Sequence, residues 1–84
     1  MSKAKKISKE NESKYVQLGL NIAYYRKLCG FTQEKLAEEA NLSRSYLSAL
    51  EAPKEIKSMS LEVLFTLAKV LKIEPKKLLD FKVE

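Results

Sequence analysis

Punctuation is scarce in this chain, and that scarcity limits the folds open to it. Two glycines and two prolines serve 84 residues, too few for a turn-rich β fold or a glycine-rich phosphate loop. Three of the four, Gly30, Pro53 and Pro75, fall between segments whose apolar residues recur at helical spacing. From Glu12 to Cys29, the side chains of Leu18, Ile22, Tyr25 and Cys29 share one face, and Gly30 supplies a left-handed stop. Thr32 offers an N-cap hydroxyl to a two-turn helix from Gln33 to Ala40, with Leu36, Ala37 and Ala40 on one side. Asn41-Leu42 breaks that helix. Ser43 caps a third, ending near Glu51 with Leu47 and Leu50 inward, and Pro53 cannot continue it. Ser60 caps a fourth helix to Leu71 that is apolar almost all the way round, which predicts a central position. Pro75 suits the first turn of a fifth, running to about Asp80. The expected class is all-α: five helices and no strand.

Composition removes most chemistry. The chain has no His and a single Cys, so the commonest general base and metal ligand are missing and no internal disulfide can form. A domain this short buries only about 60–65% of the surface its unfolded form exposes, which leaves little for an elaborate active site. Glu34, Glu38 and Glu39 read as a solvated face of helix two rather than a metal site, and Cys29 as a small packed apolar side chain rather than a nucleophile. No apolar run approaches the ~18–20 residues that span a bilayer, and the basic start lacks the apolar core of a signal peptide. The expectation is a cytoplasmic protein that is not an enzyme, with no cofactor, no metal and no membrane partner.

The formal charge of +5 is unevenly spread. Residues 1–9 hold four lysines and no acid, so the other 75 residues carry 12 bases against 11 acids. The chain therefore divides into a basic, flexible arm over residues 1–11 and one domain over residues 12–84. The arm reads either as a solvated extension or as a neutraliser of nucleic-acid phosphates. A membrane anchor is the weakest reading, because the arm has no amphipathic apolar face.

Two short helices joined by three or four residues make a DNA-binding shape when the second keeps a polar outer face. Here Leu47 and Leu50 point inward, while Arg44, Ser45, Ser48 and Ala49 point outward; small side chains allow close approach to a major groove. Arg44 lies in the first turn, and Arg is the commonest bidentate partner of guanine. The segment resembles the lambda-repressor-like helix-turn-helix family, the Cro and xenobiotic-response-element regulators. The likeness runs from Leu18 to Leu79. It includes Leu18-Gly-x-Asn-Ile22, Arg26, Gly30-Phe-Thr-Gln33, Leu36-Ala37, Ser43-Arg-Ser-Tyr-Leu-Ser48, Leu50-Glu51, Leu64-x-x-Leu-Ala-x-x-Leu-x-Ile73 and Leu78-Leu79.

The resemblance implies roles by position. Gln33 matches a residue that contacts a phosphate and buttresses the first side chain of the recognition helix. Arg44, Ser45 and Ala49 match base-facing positions, and Ser43 and Ser48 match sites near the backbone or groove edge. Arg26 and Glu51 match a partly buried ion pair tying helix one to helix three; a surface pair is the alternative. Pairing through the helix-five region would involve Ile73, Pro75, Leu78 and Phe81. The chain departs from the family pattern after Glu51, where Ala52-Pro53 replaces Asn-Gly or Arg-Gly and the loop before Ser60 is longer. Lys54, Lys57 and Ser58 would then meet phosphates with side chains, or simply lie in a solvated loop. A second departure is the apolar row Val16, Leu20 and Tyr24, opposite Leu18 and Ile22. Either Phe81 and Val83 fold back over it, or it is a protein–protein surface.

The function expected from this reading is sequence-specific binding of double-stranded DNA. A homodimeric regulator, a repressor in the simplest case, would occupy an inverted repeat. The alternative is an antitoxin-type interaction module of the same fold whose helix-one row seats a protein partner.

Overall fold

The computed structural model describes residues 7–81. Among them are five helices and no strand: α1 (Lys9–Leu28), α2 (Gln33–Ala40), α3 (Arg44–Glu51), α4 (Leu61–Leu71) and α5 (Pro75–Leu78). Four helices start on a hydroxyl. Ser8, Thr32, Ser43 and Ser60 each accept a hydrogen bond from the backbone N–H three residues on, at 3.0–3.3 Å. A cap of this kind is worth about 1 kcal/mol. The Ser8 cap starts α1 at Lys9, three residues earlier than Glu12, so residues 9–11 belong to a helix and not to the arm. The lysines at positions 3, 5 and 6 lie outside the described residues.

Three helices end in a left-handed residue: Gly30 at φ +80°, Asn41 at +59° and Lys72 at +60°. After each, the next N–H donates back into the last helical turn: Phe31 to Arg26 O at 3.0 Å, Leu42 to Ala37 O at 2.8 Å and Ile73 to Ala68 O at 3.0 Å. Phe31, Leu42 and Ile73 then pack against the core, completing the apolar contact typical of this stop.

Six large side chains are fully buried: Ile22, Leu36, Leu47, Leu67, Leu71 and Leu78. Every helix contributes at least one, so no helix is an appendage. Helix α1 runs across α3, α4 and α5, while α4 also backs α2. At Gly19 the α1 backbone presses on the end of α3, and a Cβ built there would overlap the Leu50 carbonyl oxygen. On the opposite flank, Asn21 donates through Nδ2 to Leu78 O at 2.9 Å and Asp80 O at 3.3 Å, tying down the end of α5.

Three expectations are corrected. Cys29 is exposed rather than packed, because it sits past the last turn of α1 as its C-cap, with Sγ 3.5 Å from Leu71 O. Helix α4 is buried on one face only; Leu61 is 65% exposed and Phe65 50%. Helix α5 stops at Leu78, which is core, whereas Leu79 is 47% exposed.

Candidate nucleic-acid interface

Helices α2 and α3 are joined by Asn41, Leu42 and Ser43 alone. Asn41 turns the chain in the left-handed region, Leu42 is half-buried and Ser43 already caps α3. Leu36, Ala37 and Ala40 of α2 and Leu47 and Leu50 of α3 go into the core. The first turn of α3 faces outward: Ser43, Arg44 and Ser45 are exposed, whereas Ser48 and Ala49, one turn on, are half-buried. Arg44 is thus the long, permanently charged donor at the open end of the helix.

Behind this surface lies a polar network. Arg26 donates from Nε to Glu51 Oε2 at 2.8 Å and from Nη2 to Oε1 at 3.0 Å, a bidentate pair. Its side chain is 11% exposed and that of Glu51 5%, so the pair is buried, not superficial. Arg26 Nη1 also donates to Phe31 O at 2.9 Å. Gln33, at the start of α2, donates from Nε2 to Glu51 Oε1 at 2.9 Å. One cluster therefore pins α1, the turn before α2, the start of α2 and the end of α3.

The loop after α3 carries Lys54 and Lys57, both exposed. A turn closed by Glu55 N–H to Ala52 O, at 3.1 Å, folds it back. That brings Lys57 Nζ to 5.9 Å from the centre of the Tyr46 ring, a cation–π distance. Lys57 is therefore held beside α3, while Lys54 has no such anchor among the described residues.

The sequence of residues 22–78 matches the helix-turn-helix family model. The chain belongs to the helix-turn-helix family. Its fold is the lambda-repressor-like one expected from the residues above. The restriction-modification controller protein C.AhdI from Aeromonas hydrophila is 33% identical with a TM-score of 0.72, the match covering 79% of this chain and 97% of that one. SinR, the Bacillus subtilis master regulator of biofilm formation, solved in complex with DNA, is 35% identical with a TM-score of 0.70, covering 75% of this chain and 98% of that one. The SinR–SinI complex gives 35% identity and a TM-score of 0.69 over 75% of this chain and 60% of that one. A search of curated proteins finds no match.

Two apolar surfaces complete this helix-turn-helix domain. Leu20, Tyr24 and Leu28 are 43, 59 and 67% exposed on α1, with Val16 half-buried beside them. Leu28 extends the expected row by another turn. Phe81 does not cover it. Instead Phe81 lines a groove of about 320 Å³ with Tyr15, Leu18, Leu61, Leu64 and Leu79, on the α4–α5 side of α1. Val83 lies outside the described residues. Of the expected pairing residues, Leu78 is core, Ile73 and Phe81 are half-buried and Pro75 is exposed. The signals missed in the sequence are the exposure of Leu61, Phe65 and Leu79 and the link from Gln33 to Glu51.

Proposed function

We propose that this chain is a DNA-binding transcription regulator that places α3 in the major groove. The observation carrying the reading is the exposed first turn of α3, with Arg44 and Ser45, on a helix pair locked from behind by Arg26, Glu51 and Gln33. In this reading Arg44, Ser45 and Ala49 face bases, while Gln33, Ser43, Ser48, Lys54 and Lys57 meet the backbone. SinR, of the same family, was solved on DNA, which supports it.

One domain with so few contacts binds weakly, and two linked half-sites multiply the effect. The protein therefore acts as a homodimer on an inverted repeat, with half-sites about 34 Å apart, and represses by obstructing polymerase. Leu61 and Leu79, exposed beside Phe81 in the same groove, give the pairing surface apolar side chains. Selection of bound sites from random duplex DNA, with the mass of the complex measured, tests the DNA binding and the pairing. A palindromic consensus bound two chains to one duplex is expected, and failure to enrich any sequence overturns the reading. Arg44→Ala is expected to weaken the selected site by about 1–3 kcal/mol and to relax one base position. Equal loss on every sequence would reassign Arg44 to a phosphate.

A second reading is favoured by the open row on α1 and by the SinR–SinI complex: a module that seats a protein partner. Leu20→Glu is expected to leave helical content intact while abolishing such a complex in a pull-down. Unfolding of the variant would show instead that the row is part of the core.

A further inference from the structure

Glu51 does more than neutralise Arg26. Its Oε1 accepts two hydrogen bonds at once, from Arg26 Nη2 at 3.0 Å and Gln33 Nε2 at 2.9 Å. An ion-paired carboxylate only accepts. The amide of a glutamine has two ends of nearly equal shape and opposite hydrogen-bonding sense. With an acceptor-only group behind it, the Gln33 amide can turn only its NH2 end inward. One N–H is then committed, and the second N–H and Oε1 are left for a partner outside the protein.

We propose that Glu51 is a positioning residue for DNA binding. It holds the Gln33 amide, before any DNA arrives, in the orientation that offers an N–H to a backbone phosphate. This rests on the DNA-binding reading above. Arg26 holds Glu51 in turn, and its bond to Phe31 O anchors both to the turn that leads into α2. The hydrogen bonds thus run from that turn, through Arg26 and Glu51, to the first residue of α2. An unanchored glutamine on a surface must be ordered when it binds, which costs a factor of about two to ten in affinity.

The test replaces the pair with apolar side chains of similar size, Arg26→Met with Glu51→Leu, an exchange that usually leaves a fold as stable or more so. Circular dichroism and the urea midpoint establish that the variant is folded. Affinity is then measured on the duplex recovered by selection, at several salt concentrations. The expected result is about a five-fold loss with an unchanged salt slope, since no charged phosphate contact is removed. The loss should disappear in a Gln33→Ala background. A folded double variant that binds like the parent overturns the proposal and leaves the DNA-binding reading standing. A parent that binds no duplex overturns both. A second measurement needs no variant: in the free protein, the NMR order parameter of the Gln33 side-chain amide should approach backbone values and exceed that of Gln17, a half-buried glutamine of α1. Equal mobility of the two amides overturns the proposal.

Discussion

Glu51→Ala is expected to cost about 3–5 kcal/mol of folding stability. Removing the carboxylate strands the Arg26 guanidinium, whose side chain is only 11% exposed, without its bidentate partner. A buried charge left alone is far more costly than the pair was worth. Domains of this size hold roughly 4–12 kcal/mol in total, so the loss is a large part of the whole. Gln33 loses its acceptor in the same step. Urea unfolding followed at 222 nm measures the effect, and a loss below about 1 kcal/mol would mean that the pair behaves like an exposed one. The paired apolar exchange at Arg26 and Glu51 is expected to recover most of that stability, which separates the cost of an orphaned charge from the worth of the interaction.

Gly19→Ala is the second large effect, and its sign runs against helix propensity. Alanine in mid-helix is favoured over glycine by about 1 kcal/mol. The new Cβ, however, would overlap the Leu50 carbonyl oxygen, a backbone atom that no side-chain rotation can clear. Helices α1 and α3 must move apart, disturbing Leu18, Ile22, Leu47 and Leu50 together, and overpacking of this kind costs about 1–3 kcal/mol. The melting temperature is expected to fall by roughly 10 °C, at about 4–8 °C per kcal/mol for a domain of this length. Gly30→Ala is the control. Open space surrounds that Cβ, and only the left-handed backbone at φ +80° opposes it, a strain of about 1–2 kcal/mol. An unchanged melt for Gly19→Ala would show that the two helices can separate freely.

The helices were legible in the sequence because their signals are local. Thr32, Ser43 and Ser60 announce three starts by hydroxyl chemistry, and Gly30 and Asn41 announce two stops by tolerance of positive φ. Ser8 was hidden inside a lysine-rich stretch whose polarity resembles an unstructured arm. Lys72 adopts the same left-handed stop with no residue preference to betray it. Ile73 and Ala68 enforce it from the packed side. What lay beyond reach was mostly relational. Periodicity marks Leu61 and Phe65 as apolar without revealing that nothing among the described residues covers them. The pattern containing Gly19 and Asn21 was visible, but not that one clears a carbonyl and the other holds the end of α5. The candidate surface followed the same division. The placing of Arg44 and Ser45 came from the helix itself, while the hold of Glu51 on Gln33 joins residues 18 positions apart.

The short connection between α2 and α3 has a consequence for association. Between the cap that ends one helix and the cap that begins the next stands a single residue, Leu42, half-buried and bonded back to Ala37. Such a joint has no slack. The angle between the helices is settled when the chain folds, and the entropy of fixing it is lost then rather than on meeting a partner. In the proposed function, DNA meeting α3 therefore meets a rigid template, and its affinity is set by surface complementarity with little deduction for reorganisation.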